Sequence, residues 1–135
     1  MKALADTGFL VAFANRRDTH HEWAVGIAEQ IDEPLLTCDA VLAEAAFHLG
    51  SASLVLGFVE TGLVEPRFAI NDHLPRLSEL AKRYEDRAPD LADLCLIRLS
   101  ELFAKHAVIT TDVGDFRVYR RGRRETIPLI HPPGL

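Results

Sequence analysis

Six acidic residues of this chain stand where a carboxylate is hard to explain by solubility alone: Asp6, Glu44, Asp90, Asp93, Asp112 and Asp115. Asp6 directly follows the apolar stretch "KALA", and Asp112 directly follows "VITT". Glu44 sits in "DAVLAEAAFHL" with Ala and Leu on either side. Burying an unpaired carboxylate there costs several kcal/mol or forces its protonation. Asp90 and Asp93, in "DLADLCLIRL", share a helix face through their i, i+3 spacing. Asp115 follows in "TTDVGDF", within reach of any cation that Asp112 holds.

Each of these residues also has a local alternative. An Asp after a strand caps the next helix or starts a turn, which covers Asp6 and Asp112. Glu44 fits a solvent-facing edge near His48 at i+4. Asp90 fits a helix cap with Asp93 at N3, although Asp93 lies deeper and gains less from the helix dipole. Asp115 fits a plain turn after Gly114. Gathered together, however, the six would repel one another without a counter-charge. An oxygen-only ligand set without His or Cys suits a hard cation, Mg2+ or Mn2+, rather than zinc. Such a site suits phosphodiester hydrolysis: one ion positions and deprotonates water, and a second stabilises the leaving oxygen.

The elements that must bring them together are legible. "KALA", "EPLLTC", "VEPRFAI", "AVITT" and "TIPLIH" read as short strands, with Pro66 assigning "VEPRFAI" to an edge. Between them, "GFLVAFAN", "HHEWAVGIAEQI", "DAVLAEAAFHL", "SLVLGFVETG", "DHLPRLSELAKRYEDR" and "DLADLCLIRLSELFAKH" read as helices. Leu77, Leu80 and Tyr84 form one apolar stripe, and Ala92, Leu96, Leu99 and Phe103 another. Strands alternating with helices predict an α/β fold whose parallel sheet is covered on both faces. Function then collects at the carboxyl ends of the strands, near a topological switch point, and both Asp6 and Asp112 fall on that edge.

Composition sets the outer limits. The chain has 135 residues, 48% of them hydrophobic, which fits one domain over residues 1–135 with a single core. A net charge of −5 argues against nucleic-acid binding by bulk attraction, although bound cations would change the local sign. The two cysteines, Cys38 and Cys95, are far apart in apolar segments, which points away from disulfides and towards a reducing cytoplasm. "MKALADTGFLVAFAN" imitates a signal peptide, but Asp6 interrupts the apolar run and the segment is read as mature protein. No stretch reaches the length of a membrane span.

In order and spacing, "ADTGFLVAF", Glu44 within "VLAEAAFHL", Asp93 within "DLADLCLI" and the closing "ITTDVGDF" resemble the PIN-domain nucleases. The resemblance extends to the compact VapC-type toxins of toxin–antitoxin pairs and covers Ala5 to Phe116. It implies a three-layer α/β/α sandwich with a central parallel sheet, metal-dependent endoribonuclease activity on RNA, a homodimer and inhibition by a cognate antitoxin. By position it makes Asp6, Glu44, Asp93 and Asp112 the catalytic, metal-holding acids, with Asp115 an alternative for the fourth place and Asp90 an outer ligand. Thr7 and Thr111 match supporting hydroxyls.

"FRVYRRGRRE" holds five arginines, of which Arg117, Arg120 and Arg121 are candidates for RNA phosphate contact. An exposed loop, or a surface for an acidic partner, is the alternative. Tyr119 is a candidate for stacking on a base. Neither "HHE" at His20 to Glu22 nor His106 has metal-ligand spacing. Trp23, Phe47, Phe58 and Phe103 read as core residues. Of other enzyme classes, a haloacid-dehalogenase-like site wants a second Asp where Gly8 stands. A receiver-like phosphoacceptor domain wants paired acids after the first strand and a late Lys, and no Lys lies beyond Lys105. A non-catalytic module that binds RNA or protein on the same scaffold is the non-enzymatic alternative.

Overall fold

Ala3, Leu4 and Ala5 are buried without a break, the pattern of a strand covered on both faces. The computed structural model describes residues 1–135 and makes this segment β1 (Ala3–Ala5), the centre of a five-stranded parallel sheet. The chain continues through α1 (Thr7–Ala14), α2 (His21–Ala28), β2 (Leu35–Thr37), α3 (Asp39–Leu49), α4 (Ala52–Glu60) and β3 (Val64–Pro66). It then forms α5 (Leu74–Arg83), α6 (Leu91–Leu102), β4 (Ala107–Ile109) and the single turn α7 (Val113–Phe116). A hairpin of β5 (Arg120–Arg121) and β6 (Glu125–Thr126) precedes the last strand, β7 (Leu129–Ile130).

The sheet order is β3-β2-β1-β4-β7. The chain steps outward from β1 through β2 to β3, then returns to the other side of β1 with β4. The switch point therefore lies between β1 and β4, where Leu4 pairs with Val108 and Ala5 with Ile109. Asp6 N–H extends that ladder by donating to Ile109 O at 3.1 Å. Thr37 Oγ1 donates to Ala5 O at 2.9 Å, a buried bond that ties β2 to β1 just below the same edge. Helices flank the sheet in an α/β/α arrangement, and Pro66 lies on the edge strand β3, where it removes no ladder bond from a central position.

α6 is buried on nearly every side. Besides the expected stripe of Ala92, Leu96 and Leu99, the face carrying Ile97 and Ser100 is fully buried, because α3, α5, β1, β4 and β5 all pack around this helix. Ser100 Oγ is satisfied by donating to Ile97 O. Asp93 is thus mounted on one of the most firmly held elements of the fold.

Two expectations are corrected. Phe47 is 82% exposed on α3, because the helix turns that position away from the sheet while Val41 and Ala45 face it. The arginine-rich run is not an open loop but the β5–β6 hairpin, closed by Gly122 in the left-handed region (φ 58°).

Candidate functional site

Asp6 is the N-cap of α1, accepting from Thr7 N–H through Oδ1 at 2.7 Å. Its other oxygen accepts from Thr110 Oγ1 at 2.6 Å, and that same hydroxyl accepts from Asp112 N–H at 2.8 Å. One buried threonine therefore joins the ends of β1 and β4. Asp90 caps α6 by accepting from Asp93 N–H at 2.8 Å, so the capping alternative is real for this residue. The cap does not remove Asp90 from the site. It lines one cavity of about 310 Å³ together with Asp6, Glu44, Asp93 and Asp112.

The cavity wall also includes Thr7, whose Oγ1 donates to Glu44 Oε2 at 3.2 Å, and Thr111. Gly8 completes it for a steric reason: a Cβ at that position would lie 2.2 Å from Thr111 Oγ1. His48 is the sole cationisable side chain on the wall, and no Lys or Arg reaches it.

The electrostatics follow from this crowding. Burial pushes the Asp6 carboxyl up to about 6 against the bonds from Thr110 and Thr7, and the charges of Asp112 and Asp90 push the same way. Asp93 is pushed up to about 7, first by burial and then by Asp90, with the Tyr119 hydroxyl opposing. Glu44 is raised by burial and by Asp90, and Asp112 by burial and by Asp115. Perturbation of this kind, in a cleft and traceable to named charges, makes the cavity a candidate functional site.

Several sequence-based assignments land elsewhere. Asp115 sits beside Asp112 but pairs with Arg87 at 2.8 Å and does not line the cavity. Arg121 is corrected as an RNA contact: it is 7% exposed, and its guanidinium is spent on Ser100 O, Ala104 O and Glu125. Arg117 donates to Leu135 O, and Arg120 turns back on the carbonyls of residues 117 to 119. Tyr119 is fully buried, so its ring is not open to a base; its hydroxyl donates to Asp93 Oδ2 at 2.9 Å. Sequence reasoning missed that role and the role of Thr110. The only clue to Thr110 was its place at the very end of the last apolar strand residues before Asp112.

The sequence from residue 3 to residue 121 matches the family model for the PIN domain. The chain belongs to the PIN-domain family. No curated protein matches it. PIN domains are generally nucleases and generally use divalent metals, so membership carries a nuclease-type function. It leaves the receiver and haloacid-dehalogenase readings without support. The donor set of this PIN domain fits a divalent cation chemically, since it is oxygen-only, anionic and unneutralised. No group of three or more of its acidic, His or Cys side chains is arranged as a ready-made cage.

Proposed function

We propose that this PIN domain is an Mg2+- or Mn2+-dependent endoribonuclease. Asp6, Glu44, Asp93 and Asp112 are its catalytic carboxylates, and Asp90 is an outer ligand. One observation carries the proposal: buried Asp6 and half-buried Asp93 face one cavity with three further acids and no Lys or Arg, and both carboxyls are pushed up, to about 6 and about 7. A divalent ion there would activate water and neutralise charge at phosphorus.

The chain's own part is to hold and orient. Thr110 fixes Asp6 and the start of the Asp112 loop, Tyr119 fixes one oxygen of Asp93, and Thr7 steadies Glu44. Each anchored carboxylate keeps an acceptor site for a ligand. Asp115 lies outside the cavity lining, where it pairs with Arg87 while its charge still raises Asp112.

The VapC-like order of the motifs supports a toxin role, with a cognate antitoxin as partner and a homodimer as the assembly. No helix of the chain is long and apolar enough to cross a membrane. We place its action in the cytoplasm, where RNA is the substrate. The decisive experiment is RNA cleavage by the purified chain with Mg2+, with Mn2+ and with chelator. Metal-dependent internal cleavage supports the proposal, and none with either ion overturns it. Growth arrest on expression, relieved by the product of the neighbouring reading frame, tests the toxin role.

A non-catalytic binding module has one observation in its favour, the lack of a ready-made cage. It requires RNA binding without cleavage under every metal condition, so the same experiment separates the two.

A further inference from the structure

A second cluster of charged side chains, with positive charge in excess, lies outside the carboxylate cavity. A groove of about 500 Å³ between α5, the end of α6 and the β5–β6 hairpin is lined by Arg76, Arg83, Arg98, Arg121 and Arg123. Glu79, Glu101 and Glu125 also line it, leaving two positive charges in excess. Some of this is scaffolding. Glu101 receives Arg76 and Arg98, and its Oε2 accepts Gly122 N–H, which pins the hairpin to α6.

Two of the arginines are not used in that way. Arg83 is exposed and its only bond is to a carbonyl, Gly122 O at 3.1 Å. Arg123 is exposed at the hairpin turn and takes part in none of the ion pairs. Arg121, buried beneath them, is spent on Ser100 O, Ala104 O and Glu125 and is not one of the free donors. Arginine donors left unspent at one groove are suited to a phosphate oxygen.

The groove is also joined to the carboxylate cavity. The bond between Arg76 and Glu101 places the start of α5 against the end of α6, so the two helices run antiparallel. The backbone of Arg83 therefore lies towards the end of α6 that carries Asp93, while its guanidinium reaches back to Gly122 O, the carbonyl that Arg76 also meets. Next to Arg83, Tyr84 packs on Tyr119 with ring centres 5.0 Å apart, and Tyr119 bonds Asp93. This tyrosine pair links the end of α5 to the Asp93 carboxylate by packing, and neither ring lines the groove or the cavity. A chain of net charge −5 with an acidic active site repels a polyanion over most of its surface, so its grip on substrate must be local.

We propose that this groove binds backbone phosphate of the single-stranded RNA substrate, at a nucleotide outside the cleaved linkage, with Arg83 and Arg123 as the contacting residues. The inference rests on the ribonuclease reading of the carboxylate site. The test is binding of a fluorescently labelled single-stranded RNA of about 12 nucleotides to the Asp6→Asn chain, with and without Arg83→Gln and Arg123→Gln, across salt from about 50 to about 200 mM. The double substitution is expected to weaken binding at low salt at least about fivefold and to flatten the salt slope by about 1.4, about 0.7 for each cation removed. Arg83→Lys with Arg123→Lys should restore the slope. In the otherwise wild-type chain, the Gln pair should raise KM for long RNA and leave cleavage of a dinucleotide unchanged.

Unchanged affinity and slope, in a chain that still cleaves RNA, overturns the groove alone. A wild-type chain that does not cleave, with an Asp6→Asn chain that does not bind, overturns both readings. Displacement of the RNA by poly-glutamate as readily as by inorganic polyphosphate would overturn RNA as the occupant in favour of an acidic protein segment.

Discussion

The Tyr119 hydroxyl donates to Asp93 Oδ2 at 2.9 Å from a position with no solvent exposure. The tyrosine is held edge-on by Tyr84 and by Phe116, with ring centres 5.0 and 5.5 Å away. Burial, and then Asp93 itself, push the phenol well above its usual range, so it stays a donor at any physiological pH. Tyr119→Phe keeps the ring packing and deletes the donor. Because that bond holds the Asp93 carboxyl down, its loss should raise the carboxyl further above about 7. The acid limb of the pH–rate profile is expected to move to higher pH, and more metal should be needed for half-maximal cleavage. A profile that does not move would reduce Tyr119 to a packing residue.

Asp6→Asn and Asp93→Asn are expected to abolish cleavage without unfolding the chain. In Asp6→Asn the amide oxygen can still accept from Thr7 N–H, the amide NH2 can donate to Thr110 Oγ1 in place of the bond that Asp6 accepts, and a charge that burial penalises is removed. The metal-free variants should therefore melt at or above the wild-type temperature at neutral pH. Full activity in either variant would remove these residues from the catalytic set.

The two adjacent threonines should separate cleanly. Thr110 bonds both Asp6 and the Asp112 backbone, whereas Thr111 makes no hydrogen bond through its side chain and packs against Gly8. Thr110→Val leaves a buried carboxylate oxygen and an N–H without partners, a loss of about 1–3 kcal/mol for each group. It should lower both melting temperature and kcat. Thr111→Val should leave the melting temperature nearly unchanged, as read by thermal denaturation of the two variants side by side.

The contrast between these threonines shows what the sequence could carry. Strand–helix alternation and the rule of carboxyl ends located Asp6 and Asp112, because both depend on local pattern and topology alone. The buried surroundings of Glu44 and the i, i+3 pair at Asp90 and Asp93 were local too. What escaped was long-range: Tyr119 reaches Asp93 across 26 positions, and Thr110 reaches Asp6 across 104. Nothing in "FRVYRRGRRE" reveals that Tyr119 points inward while Arg123 stays outside, since a two-residue strand is too short for periodicity to register. Arg121 misled for the same reason. Charge suggests a surface, and only the packing of α6 against β5 shows it buried.

Gly8→Ala is expected to damage the site from a residue with no chemistry of its own. The added Cβ would fall 2.2 Å from Thr111 Oγ1, inside any tolerated contact, at the first turn of α1. Relief requires the Thr111 side chain to turn or the loop after β4 to move, and that loop carries Asp112. Overpacking of this kind costs about 1–3 kcal/mol. The melting temperature should fall, and kcat should fall more than a stability loss alone would bring at a temperature where the variant is still folded. Thr111→Gly in the same chain should recover part of both losses.

The raised carboxyls fix the direction of the pH dependence. Asp6 and Asp93 titrate near 6 and near 7 in the folded chain, against about 4 when unfolded. Between those values the folded state holds more protons than the unfolded one, so rising pH destabilises it. The contribution of these groups is fully present below about pH 4 and is lost as pH climbs through about 6 to 7. Without divalent metal, the melting temperature is expected to rise as the buffer is taken from about pH 8 to about pH 5, until other groups reverse the trend. Saturating Mg2+ or Mn2+ should remove that rise, because the ion replaces the proton as the counter-charge and binds the ionised form. Ion binding should therefore release protons, measurable as a buffer-dependent heat in calorimetry near pH 6.5. A melting curve indifferent to both pH and metal would mean that these carboxyls neither carry the raised values nor hold an ion.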